Sequence, residues 1–360
     1  MARSNPAEAV KNLFQTPELK SKLGFTLLAL VVYRLGAHIT APGIDVRALI
    51  EFFQNQQSGG LLGLYDLFVG GGLSRATVFA LGIVPYISSS IVFQIMTAVV
   101  PQFEKMQREE EGRNKITQYT RYLTVAIAVL QAWGYALFTE SLQGAVLHPG
   151  FGFRVEMALF LTTGAMFVMW LGEQITERGV GNGASLLIFF SIVERIWPSI
   201  GQTWAYMQTG TTAPFRLLAL GIVMVGVVAG TVAITVAARR VPIQIPQRTM
   251  ARGRQRESAK NFIPLRMNAA NVMPIIFAQT VIVVPRRRAA FSKSPRLQEL
   301  AELFQPPSVW YFVLMAVLIL FFTYFYTSII FNPIDIAENL KKQGGFIPGV
   351  KPGARTAEYI

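Results

Sequence analysis

The sequence predicts an all-α bundle of membrane-spanning helices, because charged residues are few and apolar runs are long. Of the 360 residues, 52% are hydrophobic and only 15% are charged, with a mean hydropathy of +0.41. Soluble domains average about 25% charged residues, so we expect a polytopic membrane protein. The length would hold about ten spans of roughly 20 residues each, together with their loops.

Eight apolar runs are candidate spans, and several lie near the lower limit of about 17 residues for crossing a bilayer. They cover residues 23–39, 76–100, 122–138, 157–171, 184–200, 215–238, 269–284 and 309–331. When the N-terminus is placed inside, the cytoplasmic segments hold 22 Lys and Arg residues and the outer segments hold 8. This bias predicts that the N-terminus and residue 360 are both cytoplasmic. The three arginines at 286–288 are a local exception.

Several classes of chemistry are excluded by composition and context. The sequence has no cysteine, which excludes disulfide and thiol chemistry, and only two histidines, too few for a histidine-rich metal site. The glycine-rich stretch at 179–183 lies between two apolar spans, so we expect a tight turn there and not a phosphate-binding loop. The polar N-terminal residues and the lack of a small-residue cleavage site predict no cleavable signal peptide. We therefore expect no catalytic residue, no cofactor, no metal and no enzyme activity.

The segment at 58–73, SGGLLGLYDLFVGGGL, is apolar but shorter than the roughly 20 residues that cross a bilayer. Glycines at both ends let it depart from the direction of its neighbours. A short helix that enters a membrane without crossing it lines or closes a cavity, because irregular backbone at that depth must face protein or water. The alternative is a surface loop with some apolar residues.

Two predicted spans carry an internal proline, Pro85 in span two and Pro274 in span seven. Proline kinks a helix and makes a movable joint. If the chain has two five-span halves, these are the second spans of each half, and matching interruptions indicate a pathway between repeats. The alternative is that prolines are simply common in membrane helices.

The centre of the bundle is predicted to be apolar and uncharged. Ile83 and Ile87 are four residues apart and share one helix face. Spans five and seven add Ile188 and Ile276, and none of these faces carries an ionisable side chain. A hydrophobic constriction excludes water and ions by dewetting without selecting a substrate chemically, which suits a pore that passes many different side chains.

An ion-coupled transporter would instead place charged side chains near the middle of the membrane. The candidates are Arg34, Glu156, Glu194 and Arg195. Of these, Arg34 lies deep enough in span one to matter. We expect Glu194 to neutralise the adjacent Arg195 or to face the membrane interface.

Two predicted cytoplasmic segments are candidates for partner binding. Residues 239–266 hold eight basic residues and one acid, and RRVPIQIPQR alternates as a strand does. Its two prolines restrict that strand to an edge or a hairpin arm, so we expect a structured basic prong. The alternative is a solvated loop on anionic lipid. In residues 332–360, an amphipathic stretch precedes an extended tip at 344–353, where glycine and proline exclude a helix.

Several long stretches of this sequence resemble the SecY family, the channel-forming subunits of the Sec protein translocase. They are APGID at 41–45, GGGLSR at 70–75, FALGIVPYISSS at 79–90, GRNKITQYTR at 112–121, MWLGEQITERGVGNG at 169–183, NP at 332–333, NLKK at 339–342 and GFIPG at 345–349. The resemblance implies a bundle of two pseudo-symmetric halves, residues 1–200 and 201–360, hinged between spans five and six. It also implies a location in the bacterial plasma membrane.

The resemblance implies four sets of functional residues. A plug at about 58–73 includes Gly59, Gly60, Leu61, Leu62, Leu64, Tyr65, Leu67, Phe68, Gly70, Gly71 and Gly72. The pore ring is Ile83, Ile87, Ala184, Ile188 and Ile276, with Ala184 where a larger aliphatic residue is frequent. The lateral gate between spans two and seven includes Pro85, Ser89, Gln94, Pro274 and Thr280. The docking surface includes Arg248, Arg252, Arg254, Arg256 and Lys351, the last where an arginine is frequent.

The partners that the resemblance implies are the SecA ATPase motor, the ribosome, the small membrane subunits SecE and SecG, signal sequences, nascent or precursor chains and anionic lipids. The family pattern continues with two more spans after residue 360, so we expect a C-terminally incomplete channel of eight spans plus the plug. Two other functions are left open by the residues alone. One is a secondary transporter for small molecules, and the other is a lipid-interacting scaffold without a pore.

Overall fold

The computed structural model describes residues 16–55, 66, 69–142, 144–210, 214–244, 261–266, 274–275, 277–278, 281–282, 308–330, 333–342 and 344–359. It divides into two compact units, Met1–Tyr206 and Met207–Ile360. The helices of the first unit are α1 (Pro17–Gly36), α2 (Val46–Asn55), α3 (Val84–Val99), α4 (Pro101–Arg108), α5 (Glu110–Ser141), α6 (Phe151–Arg178), α7 (Gly183–Glu194) and α8 (Ile196–Gln208). The second unit contains α9 (Pro214–Val236), strands β1 (Ala238–Ile243) and β2 (Asn261–Arg266), α10 (Val309–Ile330), α11 (Pro333–Lys342) and α12 (Ala354–Tyr359).

Membrane-spanning helices dominate the described residues, as the composition predicts. Five helical stretches are long and apolar enough to cross a bilayer, namely Glu110–Ser141, Phe151–Arg178, Gly183–Gln208 (α7 and α8 taken together), Phe215–Val236 and Val309–Ser328. A sixth is added if α3 and α4 are counted together, although their axes differ by 106°. The first predicted span lies in α1, and the run at 269–284 is described only in part, so the count of eight stays a prediction.

The second predicted span is not one continuous helix. Residues 69–83 form turns, apart from an isolated bridge between Thr77 and Thr40, and α3 begins only at Val84, with Pro85 in its first turn. Proline fits the first turn of a helix because the N–H that it lacks would have no partner there. The expectation that Pro85 kinks a helix from within is therefore wrong. The connection predicted at 101–121 is also helical, formed by α4 and the start of α5.

The core of the first unit lies where α5 and α6 pack together. The buried residues of α5 include Ala128, Ala132 and Ala136, which recur every four residues and so form one stripe. They belong to one apolar cluster with Leu161 and Ala165 of α6. Small residues let helix backbones approach closely, which is how membrane helices gain packing where water does not drive them together.

The non-helical segment before α3 packs directly on α6. The N–H of Val78 donates to the carbonyl of Ile39, and the N–H of Ala41 donates to the carbonyl of Ala76, both at 2.8 Å. A Cβ atom added at Gly164 of α6 would lie 1.8 Å from the carbonyl oxygen of Val78. Glycine at position 164 is therefore what allows this contact.

In the second unit, β1 and β2 form an antiparallel two-stranded sheet in which Val241 is opposite Ile263. The expected strand is confirmed over residues 239–243, where β1 is one arm of a hairpin, whereas residues 245–248 of RRVPIQIPQR lie outside the described residues. Just beyond β1, Gln244 bridges Phe346 through a pair of 2.9 Å backbone hydrogen bonds. Val241, Leu340 and Ile347 are buried in one small apolar cluster, so β1, α11 and the tip at 344–353 pack together.

We expect Gly164→Ala to destabilise the protein by about 2 kcal/mol, the scale of overpacking a filled site, because the new methyl group would collide with the carbonyl of Val78. The matched control is Gly134→Ala in α5, where an added Cβ meets nothing within 4 Å. That change should be neutral or stabilising by up to about 1 kcal/mol, because alanine favours helix. Melting temperatures of the purified variants in detergent measure both effects. Equal melting temperatures would contradict the packing described here.

Candidate functional site

The predicted pore-ring residues of the first unit lie at the starts of α3 and α7. Ile83 caps the N-terminus of α3 and Ile87 follows one turn later, and both side chains are buried. Ala184 and Ile188 lie on α7 and are half-buried. The tip of Ile83 lies 3.1 Å from a Cβ position built on Gly172 of α6, so this side chain packs across α6 near its contact with α7. Ile276 lies outside the described residues.

The contact of α7 with α6 depends on the glycine turn that joins them. Residues 179–181 form bends, and the side chain of Asn182 caps α7 by accepting from the N–H of Ser185 at 3.0 Å. A Cβ atom at Gly183 would lie 2.0 Å from the carbonyl oxygen of Gly172. The predicted tight turn is confirmed. It positions Ala184 one residue after this close contact.

The end of the predicted plug segment is described at Asp66 and from Val69 onward, whereas residues 58–65, Leu67 and Phe68 lie outside the described residues. Residues 69–73 form turns, so a helix extending through Leu73 is not found. Gly70, Gly71 and Gly72 are buried, and Gly70 and Gly71 have φ values of +69° and +83°. These values fall in the left-handed region that glycine tolerates best.

Two ion pairs connect this region to its neighbours, in an arrangement that differs from the sequence expectation. Glu194 pairs with Arg34 of α1, and Arg195 pairs with Asp66 at 2.5 Å. The expectation that Glu194 neutralises Arg195 is wrong. The two residues are adjacent in sequence, but each side chain reaches a different helix or segment. An aspartate in an apolar segment must find a cation, so Asp66 itself was the sequence signal for this contact.

The predicted gate residues of the first unit are mostly engaged within that unit. Pro85 is buried in the first turn of α3. The hydroxyl of Ser89 is buried and donates to the carbonyl of Thr120 in α5 at 2.6 Å. The amide of Gln94 donates to the hydroxyl of Ser90 at 3.2 Å. In the second unit, Pro274 is buried in a helical stretch, and Thr280 lies outside the described residues.

The second unit presents a basic surface around the hairpin. In its described residues from 238 to 359, the hairpin, α11, the tip and α12 carry seven Lys and Arg residues and three acids. The guanidinium of Arg240 lies 5.0 Å from the ring centre of Phe262, and that of Arg239 lies 5.9 Å from that of Tyr359. Both distances permit cation–π contact. Lys351 is exposed, whereas Arg248, Arg252, Arg254 and Arg256 lie outside the described residues.

No group of three or more His, Cys, Asp or Glu side chains able to hold a metal ion occurs in the described residues. What the structure presents is an apolar pair of isoleucines beside a short α7, a buried non-helical segment, and a basic hairpin joined to the tip. A profile of the SecY family matches residues 77–360. The chain belongs to the SecY family.

Relatives in the family are similar over nearly the whole chain. The protein translocase subunit SecY of Aquifex aeolicus is 42% identical, over 98% of this chain and 84% of its own. That of Pseudomonas aeruginosa is 43% identical, over 100% of this chain and 82% of its own. A solved SecY protein, from a study of how its plug domain stabilises the closed state of the translocation channel and maintains a membrane seal, aligns with a TM-score of 0.61. The alignment covers 94% of this chain and 80% of that one at 16% identity, so it supports the fold.

Proposed function

We propose that this chain forms the protein-conducting channel of a bacterial translocase. In this role it passes unfolded polypeptides across the plasma membrane and releases apolar segments sideways into lipid. The observation that carries the proposal is its identity of 42% to a translocase subunit over 98% of the chain. Membership of the SecY family favours a channel over a small-molecule transporter or a scaffold without a pore.

The seal of this channel is the ring of Ile83, Ile87, Ala184, Ile188 and Ile276. Two of its members, Ile83 and Ile87, are buried aliphatic residues at the start of α3. An apolar constriction of this kind excludes water and ions, yet it does not select among the side chains of a passing polypeptide by their chemistry. The plug at 58–73 adds a steric closure. Spans two and seven separate to form the lateral gate, near Pro85, Ser89, Gln94, Pro274 and Thr280.

The work of translocation comes from partners, and this chain is not an enzyme. Its cytoplasmic side carries the basic hairpin and the tip that is bridged to it, and Lys351 is exposed there. A basic surface attracts an acidic motor protein or ribosomal RNA, over a distance that shortens as the salt concentration rises. We therefore assign docking of SecA or the ribosome to this surface, with SecE and SecG as membrane partners of the two halves. The N-terminus and these loops face the cytoplasm, as the distribution of Lys and Arg favours.

Opening is a shift between closed and open states that already coexist. A docked motor, or a signal helix in the gate, shifts this equilibrium only by the difference between its binding free energies for the open and the closed state. The bridge between Gln244 and Phe346 makes the hairpin and the tip one folded unit, so a partner that moves either segment also moves the other.

Replacing Ile83, Ile87 and Ile188 together by asparagine should raise ion leak through the complete translocase in planar bilayers. We expect an increase of roughly tenfold or more, because polar side chains would let the constriction fill with water. The matched control replaces the same three residues by valine, which keeps the ring apolar. Unchanged conductance in the asparagine variant would remove these residues from the seal.

Reversing the charge at Arg248 and Arg252 to glutamate should weaken binding of purified SecA to membranes containing the channel. The loss should be roughly tenfold at low salt and should shrink as salt is added, because the attraction is electrostatic. Arg47→Glu, an exposed site on the predicted outer side, is the control. Affinity that is unaltered at low salt would argue that docking uses another surface.

A further inference from the structure

Two ion pairs join α5 to α6, one towards each end of the stretch over which these helices pack. Nε of Arg121 donates to Oε1 of Glu173 at 2.9 Å, and Nε of Arg154 donates to Oε2 of Glu140 at 2.6 Å. Because the residue that comes first in α5 meets the residue that comes last in α6, the two helices are antiparallel. The two ion pairs fix the register of this α5–α6 hairpin.

The two ion pairs are separated by the same distance on both helices. Arg121 and Glu140 are 19 residues apart on α5, and Arg154 and Glu173 are 19 residues apart on α6. At a rise of 1.5 Å per residue, this spacing is about 28 Å along the helix axis. The hydrocarbon core of a typical bilayer is about 30 Å thick. The spacing therefore suits a hairpin that crosses the core with one ion pair at each surface.

The residues between the two ion pairs are those that contact with lipid requires. Residues 122–139 of α5 carry no charge, and the one charged residue at 155–172 of α6 is Glu156, which lies within one turn of Arg154. Leu130 and Leu159 are exposed in this stretch, at 72% and 65%. Beyond Arg121, in contrast, residues 110–115 of α5 include four charged residues. The apolar surface of the hairpin thus ends where the ion pairs begin.

In both ion pairs the arginine is the partner that faces outward. The side chains of Arg121 and Arg154 are 44% and 35% exposed, whereas those of Glu173 and Glu140 are 15% and 14% exposed. Each carboxylate engages Nε, so the two Nη groups of the guanidinium can still donate to an outside acceptor. A guanidinium matches the geometry of phosphate, which phospholipids present just outside the hydrocarbon core. Tyr122, next to Arg121, is 70% exposed, and tyrosine is enriched at this level of a membrane.

We propose that the two ion pairs bind phospholipid headgroups of opposite leaflets and thereby fix the depth of the α5–α6 hairpin in a bilayer whose core is about 30 Å thick. A shift along the bilayer normal would carry one ion pair into hydrocarbon, where an arginine is costly, and would take the other away from its headgroups. The inference goes beyond the proposed function, because it concerns the surrounding lipid and not the passage of a polypeptide.

The depth of α3 follows that of the hairpin. The buried hydroxyl of Ser89 donates to the carbonyl of Thr120 at 2.6 Å, and Thr120 directly precedes Arg121. A shift of α5 relative to the bilayer would therefore also act on α3, the helix that carries Ile87. Bilayer thickness reaches this helix through the ion pair of Arg121 and Glu173.

The first test locates the two ion pairs relative to the bilayer with nitroxide labels on single cysteines, since the 360 residues contain none. Tyr122→Cys, Leu130→Cys and Phe151→Cys are matched sites, because the native side chains are 70%, 72% and 71% exposed. The complete translocase is placed in dioleoyl phosphatidylcholine vesicles, and collisions with oxygen and with a water-soluble nickel chelate give the depth of each label. We expect the labels at 122 and 151 near the headgroups, and the label at 130 about 12 Å deeper than that at 122. Equal depths at 122 and 130 would overturn the proposal.

The second test removes one ion pair and follows the label at position 122 in dierucoyl phosphatidylcholine, whose hydrocarbon core is thicker. With Arg121→Leu and Glu173→Leu together, we expect the label to lie about 5 Å deeper than in the parent, because one more turn of α5 can then enter the core. The matched control is Arg121→Glu with Glu173→Arg, which keeps both charges at the same level. Its label should stay at the depth found in the parent.

The outcomes of the second test are distinct. A label that stays at the parent depth in the leucine variant would mean that this ion pair does not set the depth of the hairpin. A label that sinks equally in the control would mean that altered packing, and not lost charge, moved the helix, and this result also contradicts the proposal. Neither test measures ion leak or translocation, so a failure here is distinguishable from a failure of the proposed function, which the asparagine ring variant tests.

Discussion

The structure of the first unit depends on one constraint, which is that an irregular stretch of backbone is buried inside an apolar bundle. Residues 69–83 are turns, and most of them are buried. Without water, each buried N–H and carbonyl needs a partner inside the protein. The carboxylate of Asp66 and the carbonyls of Ile39 and Asp66 supply acceptors, and the hydroxyl of Tyr135 donates to the carbonyl of Leu73 at 2.7 Å. Gly164 provides the space in which the chain can lie.

This constraint explains why Asp66 and Tyr135 place polar groups against a buried and largely apolar segment. A helix would satisfy its own backbone, whereas a turn at this position needs external partners. Asp66 and Tyr135 are such partners, and they are fixed in turn by Arg195 and by the core of α5. The polar groups stabilise the non-helical backbone, while Ile83 and Ile87 at the start of α3 are buried and apolar, as the proposed seal requires.

Composition and spacing were sufficient for the fold class, and for features that depend on local chemistry. The alternation and prolines in residues 239–248 predicted an edge strand or a hairpin arm, and β1 is such an arm over the described residues 239–243. The glycine-rich stretch at 179–183 predicted a turn. Gly183, at its end, lies against the carbonyl of Gly172, and a larger residue at position 183 would collide there. In both cases the residues that determine the structure are neighbours in the sequence.

Features that depend on distant contacts were not predictable in the same way. A proline such as Pro85 is compatible both with a kink inside a helix and with the first turn of a helix. Only the packing of residues 69–83 on α6 decides between these two positions. Glu194 and Arg195 are adjacent and of opposite charge, which favours a local pair in the absence of other information. Their partners, Arg34 and Asp66, lie 160 and 129 residues away, so the real pairs follow from tertiary structure.

The central claim is that a polypeptide passes through the apolar ring, and cysteine crosslinking tests it most directly because these 360 residues contain no cysteine. A secretory precursor with one cysteine would be arrested in the complete translocase, with a second cysteine placed at Ile83 or Ile276 of this chain. The account predicts a disulfide at both positions under oxidation and none at Leu220, which is exposed on α9. A precursor that reacts no better at Ile83 and Ile276 than at Leu220 would contradict it.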